Sequence, residues 1–222
     1  MLDLSSLIPA LIAVAIILLV SFPIHEFSHA LAADRLGDRT ARYMGRLSLD
    51  PRVHFDPLGG GLLVLSALVG GIFIGWAKPT PVNPNNLEGG HRGEAMVAAA
   101  GPLSNLVMAA LVAIAVRIIA GLNLLDPLTS SLDRTVYLVI SDLVLINVFL
   151  FIFNLLPIPP LDGYKVLLGL VSPRTAWQIR QYERYGLLLI LLILFLGPNI
   201  IGPIGAHIYN FLVGPDAYYR FA

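Results

Sequence analysis

His25, Glu26 and His29 fall within "FPIHEFSHAL", residues 22 to 31, at the end of a run so apolar that it reads as membrane-spanning. In a helix, positions i and i+4 stack on one face about one turn apart, so both imidazoles can reach a single Zn²⁺. Glu26 lies beside the pair, placed to hold a water at that metal and to move its proton. A bare H-E-x-x-H is a weak signal in a soluble helix. Inside a span it gains force, because an unpaired charge there costs at least ~3 kcal/mol and is retained mainly for function.

Catalytic zinc takes three protein ligands and leaves the fourth place to water. The chain has no cysteine, so the third ligand must be His, Asp or Glu. Asp162 in "NLLPIPPLDG" is the best candidate. It follows an apolar span whose helix is broken by Pro157, Pro159 and Pro160, and Gly163 permits a tight turn. The plain alternative for this stretch is an ordinary exit turn. His54, His91 and His207 compete less well, two lying in polar loops and the third toward the opposite face. With such a ligand set, zinc would polarise a scissile carbonyl, and Glu26 would take a proton from the attacking water and deliver it to the leaving amine. Asn154 and Asn105 are intramembrane amides that could steady the oxyanion or hold the substrate backbone; helix-to-helix hydrogen bonding is the competing role for each.

These residues require a membrane scaffold, and the composition supplies one. The chain of 222 residues is 57 % hydrophobic and 13 % charged, and its mean hydropathy is +0.80. That is well outside the soluble mix. Apolar blocks at about 7–33, 95–120, 135–157 and 186–213 have the length of spans, the last interrupted by "GPN" and "GPIG". The block 58–77 is apolar but rich in glycine and β-branched residues, which makes a stable helix doubtful.

Arg35, Arg39, Arg42, Arg46 and Arg52 follow the first span, Lys78 and Arg92 follow the glycine-rich block, and Lys165, Arg174, Arg180 and Arg184 follow the span ending near Pro157. By the positive-inside rule these segments are cytoplasmic, which leaves the N-terminus outside. Both flanks of 58–77 are then cytoplasmic, so that block enters and leaves on one side as a re-entrant loop or β-hairpin. The expectation is an all-α polytopic membrane protein of about four transmembrane helices plus this segment. It forms a single membrane-embedded domain over 1–222, with a cytoplasmic amphipathic segment near 163–185. The "HEFSH" and "PLDG" ends reach the same, cytoplasmic, face. The N-terminus lacks the features of a cleaved signal peptide, and a net charge of zero gives no basic surface for nucleic acid.

"HEFSH", "GWAKPTPVNP", "AAAGPLSN" and "NLLPIPPLDG", in this order, resemble the site-2 protease family of intramembrane zinc metalloproteases, in its short prokaryotic branch without PDZ or CBS domains. The likeness runs from about residue 20 to 170. It implies one zinc held by His25, His29 and Asp162, with Glu26 as acid/base and Asn154 as a substrate or oxyanion contact. It also implies a prokaryotic cell membrane, a membrane-embedded β-hairpin, and cleavage of transmembrane substrates near the cytoplasmic face, often in regulated intramembrane proteolysis.

The expected partners are therefore a transmembrane protein or peptide substrate and the lipid bilayer. A metal transporter or metal sensor is the competing class, because intramembrane His and Asp suit it too. A transporter needs ligands spread along a path, whereas these cluster at one depth with a glutamate beside them. A non-catalytic binding protein would have no need of Glu26.

Overall fold

The computed structural model describes residues 4–69, 74–125 and 130–214, and among these every regular element is helical. The chain opens with α1 (Leu4–Ile16), a π-helical turn (Ile17–Ser21) and α2 (Phe22–Arg35), which run on as one rod. The apolar stretch Ala10–Arg35 is long enough to cross a bilayer. The π turn re-phases the helix, so the face that α1 presents is not the one on which α2 carries its histidines. Two single-turn helices, α3 (Thr40–Tyr43) and α4 (Pro51–His54), lead to α5 (Pro57–Val69).

The doubt that the glycine-rich block could hold a helix is corrected here. Its first part is the 13-residue α5, with no strand among the described residues, while residues 70–73 lie outside them. The glycines are spent on close packing: a Cβ on Gly59 would stand 2.2 Å from the Trp76 carbonyl oxygen, and one on Gly60 would stand 2.4 Å from the Phe55 ring. That contact outweighs a helix penalty of about 1 kcal/mol per glycine. At 1.5 Å per residue α5 is only about 20 Å long, short of a ~30 Å hydrocarbon core. Residues 74–83 return beside it without regular secondary structure.

α6 (His91–Gly121) and α7 (Ser131–Asn154) form the centre of the bundle. α6 contacts α2, α7, α8 and α10 through a stripe of small or polar residues, including Ala98, Gly101, Asn105, Ala109 and Ala113, all buried. Its opposite face exposes Met96, Leu103, Val107, Leu111, Ile114 and Ile118. Large apolar residues outward and small ones inward is the arrangement a lipid-facing helix adopts, because close backbone approach rather than hydrophobic burial holds such helices together. Ala109, Ala113 and Val116 pack with Val144, Val148, Tyr209 and Val213 to join α6, α7 and α10.

α7 ends at Asn154, ahead of the prolines that prevent its continuation, and α8 (Asp162–Leu170) begins at the candidate ligand itself. The expected amphipathic segment is thus two short helices, α8 and α9 (Pro173–Arg180). α10 (Gly186–Val213) follows; the stretch Glu183–Leu194, which leads into it, and its later part Asn199–Val213 are bent by 69°, a break the sequence marks with "GPN".

Candidate active site

α2 presents His25 and His29 to α6, and the turn after α7 delivers Asp162 to the same point. His25 Nε2 and His29 Nε2 lie 3.1 Å apart, and Asp162 Oδ2 stands 3.1 Å from the first and 3.2 Å from the second. Three ligands at about 2.0–2.1 Å from a tetrahedral zinc have mutual separations of about 3.3 Å, so the set fits such an ion closely. No other group of His, Cys, Asp and Glu with metal-holding geometry occurs among the described residues.

Gly101 shows why α6 has a glycine here. A Cβ on it would lie 2.3 Å from His29 Nε2 and 2.7 Å from His25 Nε2, in the space a metal and its ligands need. Gly163 does the same for the carboxylate: its Cα passes so near the end of α7 that a Cβ would sit 2.2 Å from the Leu155 carbonyl oxygen.

Each imidazole is held from behind. His29 Nδ1–H donates to the Val97 carbonyl at 2.7 Å, and His25 Nδ1 meets Asn105 Oδ1 at 2.7 Å. A donor on Nδ1 leaves the Nε2 lone pair free for a metal. Asn105 is fully buried and its Nδ2 donates to Asn147 Oδ1 at 2.7 Å, so both ends of its amide are engaged away from the cavity that a substrate would enter. Asn154 lines that cavity, while its Nδ2 donates to the Leu150 carbonyl at 3.0 Å. His54, His91 and His207 stand apart from the cluster: His54 is buried against the Ser48 carbonyl, His91 faces Glu94, and His207 is exposed.

Glu26 is buried beside the histidines, and its Oε2 accepts from the Thr80 backbone N–H at 2.7 Å. Thr80 belongs to the segment 74–83, which is itself fixed by Arg46: the buried guanidinium donates to the Lys78 and Pro79 carbonyls. In sequence Arg46 counts only as one basic residue of a cytoplasmic run, and nothing there marks Thr80 or Val97. These were missed; only "GWAKPTPVNP" as a block pointed to Thr80.

The four ionisable groups open on a cavity of about 880 Å³ walled by Phe22, Leu63, Trp76, Leu145, Phe149 and Phe153. Asp162's helix is latched from the other side, where the Tyr164 hydroxyl donates to Glu183 Oε1 at 2.7 Å.

A two-histidine, one-carboxylate metal set with an adjacent carboxylate, built between membrane-length helices, defines a membrane metallopeptidase. The chain matches the model of peptidase family M50 over residues 13–143 and 139–197, and it belongs to that family; it is a zinc-dependent metallopeptidase. It is 39 % identical over 195 residues to a Bacillus subtilis protein bearing the name of a zinc metalloprotease, YwhC, covering 87 % of this chain and 83 % of that one. It is 36 % identical over 185 residues to a Mycobacterium tuberculosis protein bearing the same description, Rip2, covering 83 % of this chain and 66 % of the relative. A Mycolicibacterium smegmatis Rip2 is 33 % identical over 178 residues, covering 79 % and 64 %. No solved structure matches the chain.

Proposed function

We propose that this metallopeptidase cuts transmembrane segments of membrane-protein substrates near the cytoplasmic face, as in regulated intramembrane proteolysis, with His25, His29 and Asp162 as metal ligands and Glu26 as acid/base. The observation that carries the reading is the close triangle of ligand atoms opening, beside Glu26, on an apolar cavity between spanning helices. A bound zinc ion supplies Lewis-acid polarisation of the scissile carbonyl and of a water. Glu26, held through Thr80 N–H, accepts the water's proton and returns it to the departing nitrogen. Asn154, on the cavity wall, contacts the substrate backbone or oxyanion once its amide turns from Leu150. Asn105 serves the substrate only indirectly, by positioning His25.

Cavity size supports cleavage of an unwound segment. An intact spanning helix, about 10 Å across and 30 Å long, fills roughly 2,400 Å³. The cavity, at about 880 Å³, takes about a third of that. The substrate therefore unwinds where it is cut, which favours Gly, Pro or Asn near the scissile bond. Gly75, Trp76, Ala77 and Val82 of residues 74–83 line the cavity, beside which an unwound substrate segment would lie. Exposed Arg35, Arg39 and Arg42 after the first span favour a cytoplasmic placement of this end, with the N-terminus outside and α5 re-entrant from the same face.

Purified chain in detergent, assayed for bound zinc and for cleavage of single-span substrates, tests this. Glu26→Gln should keep zinc and lose cleavage; Asp162→Ala should lose both. Unchanged cleavage in Glu26→Gln would overturn the assignment.

A further inference from the structure

Behind His25 runs a chain of buried polar side chains that crosses three helices and ends on a backbone carbonyl. His25 Nδ1 meets Asn105 Oδ1 at 2.7 Å, Asn105 Nδ2 meets Asn147 Oδ1 at 2.7 Å, and Asn147 Nδ2 reaches the Leu143 carbonyl at 2.8 Å and Ser21 Oγ at 3.1 Å. Ser21, Asn105 and Asn147 each have 0 % exposure. We propose that Asn147 is a positioning residue for the metal site, selecting through Asn105 the Nδ1–H form of His25.

The direction of the chain follows from its far end. A backbone carbonyl only accepts, so the group of Asn147 facing Leu143 must be the NH₂. Its oxygen then points at Asn105, which must answer with its own NH₂. Asn105 is thereby obliged to turn its oxygen to His25, and an amide oxygen accepts only from a protonated Nδ1. In the neutral imidazole, Nε2 is then the nitrogen with the lone pair, and it faces His29 and Asp162. With the polarity reversed at Asn147, an NH₂ would face His25 Nδ1 and favour the form whose Nε2 carries the hydrogen, which cannot bind metal. His29 needs no such relay, since the Val97 carbonyl fixes it directly. A lone asparagine between spans normally does no more than bond one helix to the next. Here each member has a single orientation that satisfies every partner, and that orientation is the metal-binding one.

This inference rests on the zinc reading above, and the test separates the two. The zinc-free protein, labelled with ¹⁵N-histidine, should show His25 Nδ1 protonated. In Asn147→Leu, which keeps the volume and removes both polar groups, a substantial fraction of His25 should lose the Nδ1 hydrogen while His29 keeps its own. Zinc affinity by chelator competition should fall about 10- to 100-fold. Asn147→Asp, neutral at this buried position, keeps an acceptor for Asn105 and a donor for Leu143, and should restore both readouts to within about threefold of wild type; a merely space-filling role would not distinguish Asp from Leu in the His25 signal. A folded Asn147→Leu with unchanged His25 resonances and zinc affinity overturns the relay. So does a wild-type His25 lacking the Nδ1 hydrogen, a result that stands even if the leucine variant fails to fold. Failure of the wild type to bind zinc at all would instead count against the zinc reading.

Discussion

Thr80 grips Glu26 at both ends, its backbone N–H on Oε2 at 2.7 Å and its hydroxyl on the Glu26 carbonyl at 3.0 Å. The two bonds separate by mutation. Thr80→Val keeps the N–H and should cost cleavage only a few-fold. Thr80→Pro removes a hydrogen bond to a charged group, worth about 1.5–3 kcal/mol, and should lower kcat about 10- to 100-fold with zinc retained. Equal activity in the two variants, measured against one substrate at saturating zinc, would rule out the backbone contact as what orients the base.

Gly101→Ala is the smallest change that should empty the metal site. Its methyl would press on both ligand nitrogens, at 2.3 and 2.7 Å. Zinc content by atomic emission should drop below stoichiometric, whereas alanine at Gly61, which has open space around it, should leave zinc unchanged.

Arg46 holds the segment 74–83 through the Lys78 and Pro79 carbonyls. Arg46→Ala leaves those carbonyls without their charged donor and should cost about 1.5–3 kcal/mol of stability. Cleavage should fall along with the thermal midpoint, because the same segment carries Thr80, while zinc binding should survive.

Asp38 ties the end of α2 to the loop before α6. It is fully buried and accepts from Thr40 N, Thr40 Oγ1, Asn83 N and Asn86 Nδ2. Burial pushes its carboxyl up, but these bonds outweigh burial and the net shift is down. A lowered native pKa means stability that is present above the unfolded value of about 3.9 and is lost as pH falls through the native one. Asp38→Asn should therefore melt well below wild type at pH 6, by about 1–3 kcal/mol, and the two melting curves should converge on acidification. A gap that persists at pH 2 would assign the loss to shape instead of charge.

That His25, His29 and Asp162 come together was legible because their cost was: with Glu26 they are ionisable groups at the margins of apolar blocks, where retention needs a reason. All-helical architecture and four long apolar segments followed from the same blocks. What stayed hidden depends on neighbours distant in sequence. Gly59 looked like a helix breaker until Trp76 was found against it. Nothing in the sequence marks Asn147, since its meaning lies in Leu143 behind it and Asn105 before it. α7 stops at Asn154, short of the expected 157, because the turn that aims Asp162 needs "LLPIPP" to itself.

The two histidines and the aspartate lie 137 and 133 positions apart in a chain made from its N-terminus, on α2 and at the head of α8. A growing chain that has already threaded its histidines into the bilayer still lacks the carboxylate, and α6 with Gly101 must be seated before the three can meet. On the proposed ligand set, proteolytic competence therefore waits for the residue that follows the third long apolar segment.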